Sequence, residues 1–298
     1  MILVIGDLIL DEIILTNSYK NSPEAPVPLL IPSKKMYFLG GAANVANNIN
    51  KFGENTELVG LKDPNIFKST KILQKLLKEN FIKNKLFQTA KFAPPLKKRI
   101  FCNNKMIFRI DYEKKNLNDK FNKVFSYIKR NINRFSLVII SDYKKGTFNK
   151  NNFKKLVNLI RENKKISICN PKTNPISYYD GCDIIIPNEK EFNSFFNKKL
   201  NLKDKIKIFF KKNPGINHLI ITRGSKKVIH STKSKISYHN VKKIVATDVT
   251  GASDTFVSIL AIFLKNNFSL KRSIIKAINA SSKVIKKKYT SFVKYNEI

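Results

Sequence analysis

Short apolar runs, separated by small and polar turns, recur along the whole chain. Residues 1–5 form one such run, closed by Gly6 and Asp7. A continuous run of this length fits a strand buried on both faces, as in a parallel sheet. Residues 56–60, 135–140, 166–169, 184–186 and 219–222 repeat the type. Segments with helical spacing lie between and after them: one ending near Gly53, then 66–80, 150–162, 256–264 and 269–285. Strands alternating with helices predict an α/β fold with a largely parallel sheet. Ligands in such sheets bind beyond the C-terminal ends of the strands. Asp7 and Asp11 are therefore candidates for a polyol site, where carboxylates accept hydroxyl protons. Both are equally ordinary turn residues.

Two stretches break this rhythm. Pro23, Pro26, Pro28 and Pro32 surround Val27 and residues 29–31. Prolines this dense exclude a central strand and suit an edge or flap. Residues 97–102 and 105–112 alternate around Asn103 and Asn104, which predicts a hairpin. Residues 235–245 read as β-rich and lead into the run 247–256, Thr-Asp-Val-Thr-Gly-Ala-Ser-Asp-Thr-Phe. A turn of small residues at a helix start leaves backbone N–H groups unpaired, and the helix dipole adds a positive field. Gly251, Ala252 and Ser253 are thus a candidate anion hole for a phosphate. Asp254, in the first turn, can accept the proton of a hydroxyl attacking that phosphate. The helix start is expected to keep this carboxylate ionised. An ordinary helix cap is the alternative. Gly40 and Gly41, before the first helix, admit a ligand close to the backbone or merely permit tight packing. Asn44 can donate to and accept from a sugar hydroxyl. Arg109 can fork onto a phosphate or stand as an exposed strand arginine.

Composition narrows the classes. A chain of 298 residues with 42% apolar content sustains a sizeable core, which excludes global disorder. The 57 basic and 21 acidic residues give a net charge of +36. A polyanion-binding protein is one reading of that charge. The lysines are spread along the chain rather than gathered into an arm, so a biased composition is preferred, with no specific nucleic-acid partner. Cys102, Cys169 and Cys182 form no CxxC pair, and reduced thiols in a cytoplasmic setting are expected. His218, His230 and His239 lack metal-type spacing and read as structural or surface residues. No leader is seen before residue 2, and no apolar run reaches the roughly 20 residues that span a bilayer. Walker, GxGxxG and GxSxG motifs are absent, so a phosphate site has to come from a different turn, and 251–254 is the best offer.

The run Asp-Val-Thr-Gly-Ala-Ser-Asp at 248–254 resembles the C-terminal signature of the ribokinase-like (PfkB) carbohydrate kinases, which usually ends Gly-Ala-Gly-Asp. Ser253 stands in place of the second glycine. Gly-Asp-Leu-Ile-Leu-Asp at 6–11, Ser-Pro-Glu-Ala-Pro-Val-Pro at 22–28 and Gly-Gly-Ala-Ala-Asn-Val-Ala at 40–46 narrow the likeness. Together they resemble the kinase part of the bacterial heptose-phosphate kinase/adenylyltransferases. The resemblance implies one ribokinase-like domain over 1–298, a three-layer α/β/α sandwich with a small β-sheet lid from about 12–38 and 97–112. It implies transfer from ATP to the anomeric hydroxyl of D-glycero-β-D-manno-heptose 7-phosphate, on the route to ADP-heptose and lipopolysaccharide cores. Another sugar or nucleoside kinase, or an inactive sugar-phosphate-binding homologue, is the alternative.

By the same resemblance Asp254 is the base. Asp7, Asp11, Gly40, Gly41, Asn44, Arg109, Asp142 and Lys145 face the sugar phosphate, Asp142 and Lys145 belonging to a Ser-Asp-Tyr-x-Lys-Gly segment. Lys172, Asn188, Thr222, Gly224, Asp248 and Asn279 face ATP. Asn188 and Glu191 match an Asn-x-x-Glu motif whose oxygens suit Mg²⁺ through water, although Asn and Glu three apart also make a capping box. Asn170 stands where relatives more often have Asp. The turn 61–65 departs from an Asp-rich, Gly-ending one. A homodimer through the lid and the lack of an adenylyltransferase half are further expectations.

Overall fold

Ile2, Leu3, Val4 and Ile5 have no polar face to offer water, and they become the fully buried centre of the molecule. This strand, Ile2–Gly6 (β1), sends Ile2 and Val4 into one hydrophobic core and Leu3 and Ile5 into another on the opposite face. The alternation is what a strand covered by helices on both sides requires. The computed structural model describes residues 1–64, 67–90, 92–114, 119–172, 175–196 and 200–298.

From β1 the chain runs through Leu8–Asn21 (β2), Pro28–Gly41 (β3), Ala42–Lys51 (α1), Thr56–Lys62 (β4), Lys68–Glu79 (α2) and Lys83–Gln88 (β5). It continues through Leu96–Cys102 (β6), Lys105–Tyr112 (β7), Phe121–Asn131 (α3), Leu137–Ser141 (β8), Lys150–Glu162 (α4) and Ile166–Asn170 (β9). Next come Ile184–Ile185 (β10), Glu189–Ser194 (α5), Leu202–Lys212 (α6), His218–Ile221 (β11), Val228–Ser231 (β12) and Ile236–His239 (β13). Two helices, Ala252–Lys265 (α7) and Leu270–Val284 (α8), follow.

Nine strands form the central sheet in the order β13-β12-β11-β10-β9-β8-β1-β4-β5. It is parallel from β5 to β11 and antiparallel at the β12 and β13 edge. Apolar faces of α1, α2, α7 and α8 cover one side, and those of α3, α4 and α6 the other. The expected α/β layering is therefore observed. Because β1, β8 and β9 run the same way, Gly6, Ser141 and Asn170 end side by side, at the rim where ligands bind in such sheets.

The second sheet has four strands in the order β3-β2-β6-β7. Its prolines lie on β3, an edge, where a missing N–H breaks no ladder. Asn103 and Asn104 turn the β6–β7 hairpin with φ of 49° and 64°, a pair of left-handed residues that matches the twist of the flanking strands. Leu29, Ile31, Met106, Phe108 and Ile110 leave an apolar face of this sheet exposed.

Two expectations need adjusting. The β-rich stretch to residue 245 ends at His239, because β13 is the last strand of the sheet and residues beyond it have no neighbour to pair with. The helix expected from 66 starts at Lys68, and Asn65 and Ile66 lie outside the described residues.

Candidate active site

The start of α7 holds the turn singled out as a candidate anion hole. Gly251 caps it in the left-handed region, with φ 80°, a conformation natural to glycine. The capping turn is tied from both sides by Asp248, which accepts the Thr250 N–H at 2.8 Å and the Tyr289 N–H at 3.0 Å. Ala252 spends its own N–H on the Val249 carbonyl, 3.3 Å away. Ser253 turns its hydroxyl to the Asn170 side-chain oxygen at 3.4 Å. Two of the positions that depart from the pattern of the resemblance thus touch each other.

Asp254 is buried. Its Oδ2 accepts from Asn44 Nδ2 at 2.7 Å and its Oδ1 from the Tyr143 hydroxyl at 2.6 Å. Asn44 is held in turn by Asn48, which also takes the Thr255 hydroxyl. Burial pushes the Asp254 pKa up from the ordinary carboxylate value. The hydrogen bonds from Tyr143 and Asn44 and the charge of Lys172 pull it back, and Asp11 adds to the rise. The net direction is upward, with desolvation the largest cause.

Two cavities meet at this turn. One of about 190 Å³ is lined by Asp11, Gly41, Asn44, Lys97, Arg99, Tyr143, Gly251 and Asp254, among others. The other, of about 470 Å³, is lined by Thr222, Gly224, Val228, Ala252, Ser253, Ile278 and neighbours. The small cavity is polar, with two carboxylates, Asp11 and Asp254, and two cations, Lys97 and Arg99, on its wall. Arg99 is paired with Asp11 at 2.7 Å. Among the described residues the Lys97 ammonium has no carboxylate partner; it lies 5.7 Å from the centre of the Tyr143 ring, and burial lowers its pKa. The larger cavity has an apolar wall from Val228, Val241, Phe256 and Ile278, as a flat aromatic base requires.

The structure brings Asp11, Gly41, Asn44, Gly251 and Asp254 together at the small cavity, and Thr222, Gly224, Ala252 and Ser253 at the large one. Gly40 packs under Asp11, where a Cβ would come within 2.7 Å of Oδ2. Other expected residues are placed differently. Asp7 is fully buried, and its carboxylate accepts the backbone N–H groups of Tyr143, Lys145 and Thr147 at 2.8, 2.9 and 3.1 Å. It shapes the loop after β8 rather than facing the cavity. Asp142 is likewise buried, accepting from the Lys144 N–H and the Tyr179 hydroxyl. Lys145 pairs with Glu113 at 2.6 Å. Arg109 forks onto Asp111 on the outer strand β7, and it is Arg99, its partner across the ladder, that lines the cavity. Asn279 points to solvent, because Ile278, Ser281, Ser282 and Ile285 form the helical face on the large cavity.

Asn188 and Glu191 form the capping box of α5, each accepting the other's backbone N–H at 2.8 Å. The second oxygen of Glu191 takes the Lys172 ammonium. With these lone pairs engaged, the pair does not fit direct ligation of a cation, and among the described residues no three His, Cys, Asp or Glu side chains are grouped to hold one.

Tyr143, Lys97 and Arg99 were not singled out in the sequence. Tyr143 sits between the two polar residues read from its own segment. Lys97 and Arg99 alternate on β6, so both point to one face, a signal used only to predict the hairpin.

Residues 1–296 match the model of the pfkB family of carbohydrate kinases. The chain is 31% identical over 295 residues to the bifunctional protein HldE of Blochmanniella pennsylvanica, covering 97% of this chain and 61% of that protein. It is 33% identical over 305 residues to HldE of Helicobacter pylori, again spanning only 65% of the relative. An uncharacterized sugar kinase of Buchnera aphidicola is 31% identical over 304 residues, with 100% and 95% of the two chains covered. Among solved structures, phosphofructokinase-2 of Escherichia coli aligns with a TM-score of 0.79 at 14% identity, over 99% of this chain and 95% of that one. Ribokinase of Thermotoga maritima gives 0.77 at 17%, over 99% and 97%. The chain therefore belongs to the pfkB family of carbohydrate kinases, phosphotransferases that act on sugar hydroxyl groups.

Proposed function

We propose that this kinase transfers the γ-phosphoryl group of ATP to the anomeric hydroxyl of D-glycero-β-D-manno-heptose 7-phosphate, giving the 1,7-bisphosphate used for ADP-heptose and lipopolysaccharide cores. One observation carries the reading. The Asp254 carboxylate lines a small cavity that also holds Lys97 and Arg99, while the next residues back along the chain line a larger, partly apolar one. A phosphorylated acceptor suits the first and a nucleotide the second. The likeness to HldE favours the heptose.

In the proposed reaction the acceptor hydroxyl gives its proton to Asp254 as its oxygen bonds to the γ-phosphorus and the bond to ADP breaks. Backbone N–H groups at the start of α7 face the phosphate charge. Lys97 and Arg99 hold the acceptor's own phosphate. Asn44 orients the carboxylate. Mg²⁺ would accompany ATP and neutralise phosphate charge, and Asn188 and Glu191 would reach it only through water. The exposed apolar face of the four-stranded sheet supports a homodimer through the lid, and three buried free thiols suit a reducing cytoplasm.

Coupled ADP release tests the reading. Heptose 7-phosphate should turn over well ahead of unphosphorylated heptose and of fructose 6-phosphate. Asp254→Asn should lower kcat by at least about a hundredfold while the melting curve stays cooperative. Preference for another sugar would replace the substrate, and retained activity in Asp254→Asn would remove the base. A binding-only homologue is favoured by one observation, the Ser253 and Asn170 contact, and ATP binding without any ADP release would support it.

A further inference from the structure

The Asp254 carboxylate is 5% exposed and has no ion-pair partner among the described residues. Two hydrogen bonds face its charge, one from Asn44 and one from Tyr143. The Tyr143 hydroxyl is the shorter of the two contacts and comes from a loop that Asp7 holds by three backbone amides. The ring is also flanked by cations, with Lys172 Nζ 4.8 Å and Lys97 Nζ 5.7 Å from its centre. A phenol so placed has its hydroxyl aimed at Asp254, with its ring held between two lysines.

We propose that Tyr143 is a positioning residue for phosphoryl transfer, whose hydroxyl, held against Asp254, keeps that carboxylate in its deprotonated form. The inference rests on Asp254 being the base. A buried carboxylate loses water, and each hydrogen bond to the charged form restores part of that stabilisation. The charged groups around the pair are Asp11 on β2, Lys97 and Arg99 on β6, Lys172 after β9 and Glu191 on α5. Lys172 favours the charged carboxylate and Asp11 opposes it; Glu191 acts against ionisation of the phenol itself. The phenol's own pKa is pushed well above its usual value by burial and by Asp254, so it stays a donor. During transfer the proton leaving the acceptor is taken up by Asp254, and the Tyr143 proton stays on its oxygen.

The experiment is the pH profile of kcat in Tyr143→Phe. The ring and its lysine contacts remain and only the donor is lost. The acid limb should move up by about one pH unit, a tenfold loss on that limb, while the plateau changes little and KM for ATP is unaffected. Site-specific 3-fluorotyrosine, a stronger donor with native packing, should move the limb the other way and keeps the test open should the phenylalanine variant fold poorly. A uniform fall across pH, or a limb that stays in place in both variants, overturns the role of Tyr143 while Asp254→Asn still abolishes turnover. Activity in Asp254→Asn removes the base, and this inference with it.

Discussion

A methyl group shows how closely the site is built. A Cβ added to Gly251 would lie 3.1 Å from the Asn44 amide nitrogen, on a backbone with φ 80° that L side chains resist. Gly251→Ala should therefore cost about 1–2 kcal/mol of stability and push Asn44 off Asp254. Its kcat should fall at least about tenfold, more than the melting temperature shift alone explains; kinetics and thermal melts on one preparation check it. Gly251 and Asp254 stood out in the sequence as a small-residue turn opening an apolar helix, and the fold sets them beside Asn44 at one cavity. Arg109 and Asn279 lie off the two cavities, because a residue's type says nothing of which strand or helical step lines a site. One strand separates Arg109 from the cavity, and one helical step separates Asn279 from Ile278.

At the scale of elements, strands and helices followed their periodicity well, since β1, β8 and β9 are apolar on both faces and α4 matches its expected span. The loop after β8 did not, because its shape is set by a distant carboxylate. Asp7 reads as a ligand-facing acid at a strand end, yet it organises residues 143–147. Burial raises its pKa, and the amide hydrogen bonds oppose that rise. Asp7→Asn replaces one acceptor oxygen by a donor facing backbone N–H groups. It should destabilise by about 1–3 kcal/mol and loosen Tyr143. Denaturant unfolding gives the first, and amide hydrogen exchange confined to this loop gives the second.

Across the whole molecule, the three histidines gather on the antiparallel edge of the large sheet. His218 Nδ1 lies 3.2 Å from His230 Nε2, and the His230 and His239 rings are 6.2 Å apart. Spacing along the chain gave no sign of this, because β11, β12 and β13 unite them only in the fold. Burial lowers the pKa of all three, that of His230 from 6.5 to about 4. Asp183 works against the shift at His218, and Lys271 adds to it at His239. Above pH 6.5 these residues are neutral folded or unfolded and cost nothing. As pH falls toward 4 the unfolded chain binds protons that the folded one refuses, so stability drops across that window. Thermal melts from pH 8 to 4 should show the decline, and His230→Gln should flatten it.

One residue, Asp7, lies between the end of β1 and the start of β2. The chain thus passes from the buried centre of one sheet into the other across a single joint, and that joint is clamped by its carboxylate. A rocking movement of the smaller sheet cannot be absorbed there by slack backbone. The clamp couples the joint to residues 143–147, whose Tyr143 touches Asp254. Displacement of the smaller sheet would thereby reach the start of α7 mechanically, through covalent bonds and a few short contacts, with no messenger segment between.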